Sequence, residues 1–155
     1  MLTTAILAEL RDAVGAEGLI VERNQLQTYE CDGLAVLRSL PAAVVLPRST
    51  AQVHAVIRIC ARHHIPFVGR GAGTGLSGGA LPDDRGIVIG FARMTRILAM
   101  DIPNQRVTVE AGVINAHVTQ RVTPAGHFYA PDPSSQSVCT IGGNVAENSG
   151  GAHCL

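Results

Sequence analysis

Apolar residues recur at Val53, Val56, Ile57 and Cys60, the i, i+3, i+4, i+7 spacing of one helical face, which predicts a helix over residues 50–63. Ser49, with Gln52 three residues on, supplies a capping box at its start. A second helix is expected over 3–15. Ile6, Leu7, Leu10 and Val14 share a face there, Thr3 or Thr4 serves as cap, and Gly15 ends it. Asn115 to Val122 reads as a third helix with Asn115 as its cap. Short apolar runs rich in β-branched residues predict strands at Ala42–Leu46, stopped by Pro47, and at Pro66–Gly69. Further strands are expected at Gly86–Phe91, Ile97–Asp101 and Arg106–Ala111.

The first two strands flank the 50–63 helix. That order is a βαβ unit, which pairs its strands in parallel. The links among the last three strands are too short for crossover helices, so those strands are expected to pair antiparallel. Residues 17–40, including the stretch YECDGL (Tyr29 to Leu34), show no clear period. The segment FYAPDPSSQSVCTIGGNVAENSGG is dense in Pro and Gly and argues against regular structure until about Thr140–Glu147. Neither an internal repeat nor a linker is visible. The class is α+β: a small parallel βαβ unit plus a mostly antiparallel sheet with flanking helices.

Composition narrows the function classes. The 155 residues are 46% hydrophobic and 15% charged, enough for one domain with a real core. Twelve Arg balance twelve acidic residues, there is no Lys, and the net charge is zero, so nothing points to nucleic acid or a membrane surface. Aromatics are 3% and Trp is absent, which leaves no platform for stacking bases. Cys31, Cys60, Cys139 and Cys154 lack C-x-x-C spacing, arguing against a zinc ribbon or a thioredoxin motif. Cys60 falls on an apolar helical face and reads as core filler. The start MLTTAILAEL has no basic region and soon meets Glu9 and Arg11, unlike a signal peptide. A reducing cytoplasm is the expected setting.

Candidate chemistry concentrates in GRGAGTGLSGG, Gly69 to Gly79, which carries six glycines in eleven residues. Gly73, Gly75 and Gly78 match G-x-G-x-x-G as a bare pattern. The continuation GALPDDRG cannot open the helix that a nicotinamide-dinucleotide loop requires, so that reading is set aside. Anion binding does not need the helix. Successive backbone N–H groups in a glycine-rich loop form a nest for phosphate. Arg70 offsets diphosphate charge, and Thr74 and Ser77 add hydroxyl donors. A second segment, Pro131 to Gly151, supplies small donors in DPSS and TIGGN and more glycine in ENSGG. Two such segments, separated by a stretch of sheet, suit an extended ligand clamped between them.

RGAGTGLSGG (Arg70 to Gly79) followed by APDPSSQ and TIGGNVAENSGG (Ala130 to Gly151) resembles the FAD-binding domain shared by the vanillyl-alcohol oxidase and p-cresol methylhydroxylase family. YECDGL, LPDDRG and GGNVAENSGGAHCL narrow the resemblance to the family that joins the flavoprotein chain of glycolate oxidase with the FAD-linked D-lactate dehydrogenases. The likeness covers almost the whole chain. It implies that Arg70, Gly71, Ala72, Gly73, Thr74, Gly75, Leu76, Ser77, Gly78 and Gly79 hold the FAD pyrophosphate. It places Pro47 near the adenosine side. Pro131, Asp132, Ser134, Ser135, Thr140, Gly142, Gly143 and Asn148 are implied on the isoalloxazine side or along the linking chain.

The first loop carries no His at the place where some members attach flavin covalently, so non-covalent FAD is expected. Members with a second link carry Cys where this chain has Val138. Cys139 then reads as a small packing residue. His54, His63 and His64 belong to the 50–64 helix or its end, and His117 and His127 lack carboxylate or His neighbours at ligand spacing. His153 is expected to be structural, and neither a catalytic His nor a metal is expected.

The resemblance further implies a lead-in over 1–40 and an FAD-binding domain over 41–155 that relatives continue beyond this point. The chain is thus expected to be an N-terminal fragment lacking the substrate domain. The full protein is expected to oxidise a small 2-hydroxy acid, glycolate or D-lactate, by hydride transfer to flavin. Partner subunits of a glycolate oxidase complex are implied, with a cytoplasmic or, through those subunits, peripheral inner-membrane location. The alternative is a non-catalytic FAD-binding module or an inactive truncated remnant.

Overall fold

In a computed structural model, which describes residues 2–154, helix α1 (Thr4–Val14) starts where Thr3 Oγ1 accepts the Ile6 N–H at 3.3 Å. It stops at Gly15, whose φ of 79° few other residues adopt. Helix α3 (Thr50–Arg62) is capped by Ser49, whose Oγ accepts the Gln52 N–H. The Gln52 side chain reaches back to the Arg48 N–H, one residue before the cap. Between these helices lie β1 (Leu19–Ile20), the single-turn helix α2 (Arg23–Leu26) and β2 (Ala43–Val45). Strands β3 (Phe67–Arg70), β4 (Ile87–Gly90), β5 (Ile97–Asp101) and β6 (Arg106–Val109) follow. Then come α4 (Asn115–Val122) and α5 (Ile141–Ala146).

Four strands form one sheet in the order β1-β2-β4-β3, and β5 pairs with β6 in a separate antiparallel hairpin. The pairing departs from expectation in two ways. Strands β2 and β3 are parallel but do not touch, because β4 lies between them and pairs with both in parallel. Nor does β4 join β5 and β6 in an antiparallel sheet. The connection that decides its direction is the stretch from Gly71 to Gly86, which is long enough to cross back to the start of the sheet without a helix. The glycine loop is therefore itself the crossover between adjacent parallel strands. The α+β class stands, with the parallel part larger than expected.

Strand β4 is buried at every position, as a central strand should be. Register sets its two faces. Ala43 pairs with Ile87 and Val45 with Ile89, and these four pack with Leu10, Val14, Val56, Ile59 and Cys60 beneath α1 and α3. Val44 and Val88 point the other way, onto Leu26, Ile20, Tyr29, Leu40, Leu46 and Val68. Burial pushes the Cys60 thiol up to about 11, so this cysteine is inert filler.

Asn115 does not cap α4. Ile114 holds the cap position, and Asn115 is buried as the first helical residue, where its Nδ2 donates to the Pro131 carbonyl at 2.7 Å. Among the described residues, no helix is long and apolar enough to cross a membrane.

Candidate functional site

Strands β3 and β4 run in parallel and end side by side at Arg70 and Gly90. A cleft of about 490 Å³ opens beyond those carboxyl ends, the place where α/β sheets offer room for ligands. One wall is the glycine loop. The other is the segment that begins at Pro133 and runs through α5 to Ser149.

The second wall is stapled to the chain around Ala111–Ala116. Asn115 and Ala116 donate backbone N–H to Cys139 and Gln136, Ile141 donates to Val113, and Gly142 donates to Ala111. Thr140 caps α5 by accepting the Gly143 N–H at 3.2 Å. A Cβ on Gly71 would lie 2.2 Å from Thr140 Oγ1, and one on Gly79 would lie 2.2 Å from Glu147 Oε1. Glycine at Gly71 is what lets the walls approach each other, whereas at Gly79 only the flexible end of Glu147 stands in the way.

The loop keeps its donors free. Among the described residues, no protein acceptor takes the backbone N–H of any residue from Gly71 to Ser77. Unpaired donors of this kind persist only beside water or a ligand. Gly73, at φ 72°, supplies the left-handed residue from which a backbone N–H nest is built.

The structure brings together on the cleft Arg70, Gly71, Ala72, Gly73, Thr74, Gly75, Leu76 and Gly79 from the first motif, with Ser134, Ser135, Thr140, Gly142 and Gly143 from the second. It leaves out six others. Pro47 is fully buried at the end of β2, separated from β3 by β4. Ser77 is exposed, and the Gly78 N–H turns away to Asp32 Oδ2 at 2.7 Å. Pro131 holds Asn115. Asp132 binds the backbone N–H and ring of His153, and those bonds hold its carboxyl below its usual range. Asn148 is exposed in the left-handed region, just past α5.

Arg70 is not a free cation over the loop. Its guanidinium donates to the Cys31 carbonyl at 2.6 Å, faces the Tyr29 ring at 5.7 Å from the centroid, and packs where a Gly73 Cβ would stand.

Sequence reasoning missed several cleft residues, Asn144, Glu147 and Phe91 among them. Asn144 is 5% exposed, lines the cleft, and has no partner for either Oδ1 or Nδ2. A buried amide left unpaired is costly, and a ligand edge carrying both a donor and an acceptor would satisfy it. Glu147 lines the same wall beside Gly75 and Gly79. An ionised carboxylate only accepts, so it suits hydroxyl or N–H groups and not phosphate. Phe91, directly after β4, provides an apolar surface. Asn144 and Glu147 could have been found in GGNVAENSGG, where polar residues interrupt the glycines; Phe91 has no local signal.

A largely parallel sheet carrying a nest of free N–H groups at its carboxyl edge, faced by a second glycine-rich wall, defines a binder of extended diphosphate ligands. Residues 41–155 match the FAD binding domain family, and the chain belongs to it; FAD is the cofactor of that domain. The chain is similar to glycolate oxidase subunit GlcD of Escherichia coli strain K12, at 47% identity over 98% of this chain and 30% of that one. It is 39% identical to the glycolate oxidase subunit GlcD of Bacillus subtilis, over 100% of this chain and 33% of that one. Against D-lactate dehydrogenase of Anaerostipes hadrus the identity is 38%, over 83% and 27%. The chain thus spans about a third or less of the curated relatives it matches. Among solved structures, alkyldihydroxyacetonephosphate synthase aligns with a TM-score of 0.86 at 20% identity, over 97% of this chain and 30% of that one. p-Cresol methylhydroxylase aligns at 0.77 and 23%, over 96% and 30%. These two likenesses show the fold.

The residues present fit FAD. The free N–H run suits a pyrophosphate, and the orphaned Asn144 amide on the facing wall suits a donor–acceptor edge.

Proposed function

We propose that this chain holds FAD non-covalently for an oxidoreductase acting on a small 2-hydroxy acid, glycolate or D-lactate. The observation that carries the reading is the run of unpaired N–H groups from Gly71 to Leu76 along a cleft whose opposite wall offers an unsatisfied Asn144. The substrate class rests on the relatives, which are named glycolate oxidase subunits and D-lactate dehydrogenase. Their description as subunits also motivates association with partner chains.

In this reading the backbone of Gly71 to Leu76 binds the diphosphate. Ser134, Ser135 and Thr140 orient the chain that links it to the ring system. Asn144 pairs with the donor–acceptor edge of the isoalloxazine, and Glu147 accepts from hydroxyl groups. When bound, FAD supplies the two-electron acceptor for the hydride on the substrate's α-carbon. The protein's part is to fix the ring and keep water off one side.

The test is a visible spectrum of the purified protein after mixing with FAD and desalting. Retained flavin absorbance that is released by acid precipitation is the expected result. A folded but colourless protein would overturn the reading.

A further inference from the structure

The stretch Tyr29 to Leu34 has no periodicity and lies outside the matched family domain. It nevertheless hydrogen-bonds the glycine loop and its entry at three places. Its root is apolar, since Leu26 and Tyr29 pack with Val44 and Val88 on the sheet face opposite α1 and α3. Its tip is polar and turns onto the loop. Asp32, 9% exposed, accepts the Gly78 N–H through Oδ2 at 2.7 Å and the Leu34 N–H through Oδ1 at 3.0 Å. Gly33 donates its N–H to the Gly75 carbonyl at 2.9 Å. Arg70, at the other end of the loop, donates to the Cys31 carbonyl. A Cβ on Gly33 would stand 2.9 Å from the Thr74 carbonyl oxygen, so the fit is close as well as bonded.

These contacts answer a physical difficulty in the loop. Residues rich in glycine lose the most conformational entropy when fixed. N–H dipoles aimed at one point also repel each other, so a nest cannot hold itself together. Every residue from Gly71 to Ser77 leaves its own donor free. Order must therefore come from outside, through the loop's carbonyls and its ends, and that is where Cys31, Asp32 and Gly33 attach. Asp32 does not line the cleft. Its negative charge is spent behind the loop on Gly78, away from the space a phosphate would enter.

We infer that Asp32 and Gly33 are positioning residues: they lock the glycine loop into its anion-binding shape before any ligand arrives. The ligand part of this inference rests on the reading of the cleft as an FAD site, while the locking part does not.

The experiment pairs two readouts on the whole chain. Amide hydrogen exchange at Gly33 and Gly78, the two N–H groups bonded between this stretch and the loop, is followed without FAD, and FAD affinity is measured by flavin fluorescence titration. In Asp32→Ala the Gly33 amide, bonded to the Gly75 carbonyl in the parent, should exchange faster along with that of Gly78, while α3 and β4 stay as in the parent. FAD affinity should fall by about tenfold or more, the usual size for a lost bond to a charged acceptor. Asp32→Asn, which can still accept one of the two N–H groups, should recover part of both effects. Gly33→Ala, which changes no charge, should reproduce the loosening and guards against a folding failure in Asp32→Ala.

Loop exchange in Asp32→Ala and Gly33→Ala equal to the parent would overturn the inference. So would loosening throughout the molecule, with no recovery in Asp32→Asn. If the parent itself binds no FAD while the loop still loosens selectively, the locking role stands and the FAD reading falls.

Discussion

Gly73 and Gly75, two residues apart in one loop, use the absence of a side chain differently. Gly73 has a φ of 72°, and a Cβ there would stand 2.1 Å from the Arg70 guanidinium. Its replacement strains the backbone and displaces Arg70 at once. Gly75 has no such φ, and its nearest neighbours to a Cβ are Glu147 atoms at 3.6 Å, an ordinary contact. A side chain at Gly75 would fill the cleft without disturbing the protein. Gly75→Val should therefore lose flavin retention in the desalting assay with its melting temperature close to the parent's, within about 0.5 kcal/mol of stability. Gly73→Ala should lose retention and also about 1–3 kcal/mol of stability. Flavin retained at parent level in Gly75→Val would remove the loop from pyrophosphate binding.

The hairpin β5–β6 meets the cleft through the turn that follows it, and Glu110 closes that turn. Its carboxylate, 8% exposed, accepts the Arg96 backbone N–H at 2.8 Å and two guanidinium donors at 3.0 and 2.7 Å. These bonds, with the Arg96 side chain first among them, hold the Glu110 carboxyl below its ordinary value of 4.5. A group depressed in the folded state adds stability that is fully present above the unfolded value and lost as pH falls through the folded one. The melting temperature of Glu110→Gln should lie below the parent's at neutral pH, and the gap should close below about pH 4.5. A gap that stays constant from pH 7 to pH 3 would show that the carboxylate's charge is not what closes the turn. At this scale the limits of sequence reading are plain. Helix α3 was legible because its signals, the Val53–Cys60 face and the Ser49–Gln52 cap, lie within a few residues of each other. Two glycine-rich walls were legible as composition. The partner of β4 was not, since the crossover that turns it parallel is a loop without periodicity. Nor was the place of Tyr29–Leu34, whose shape is set by Gly78, Gly75 and Arg70, far along the chain. Asn115 was misassigned for the same reason: its competitor for the side chain, the Pro131 carbonyl, is not local.

Across the whole molecule, stability and ligand binding are built on separate parts of the same sheet. Leu10, Val45, Val56, Ile87 and Ile89 form the core under α1 and α3, and none of them lines the cleft. The cleft hangs on the carboxyl ends of β3 and β4 and joins two walls that are distant in sequence. A ligand that bridges the walls binds only the folded chain, so it must raise stability by mass action, by about 2.7 kcal/mol at a hundredfold excess over its dissociation constant. Leu10 is fully buried, and Leu10→Ala should cost about 2–5 kcal/mol through the cavity it leaves. Phe91 packs against this core and also lines the cleft, but Leu10 itself does not line it, so the two effects should add. Thermal melts of the parent and of Leu10→Ala, each with and without saturating FAD, give the check. The variant should melt lower in both conditions and gain the same increment from FAD as the parent does. ADP, which carries the diphosphate and adenine but no isoalloxazine to pair with Asn144, should give a smaller increment in both proteins. An FAD increment that disappears in Leu10→Ala would mean that the core under α1 helps to shape the cleft. An ADP increment equal to that of FAD would mean that the second wall contributes nothing to binding.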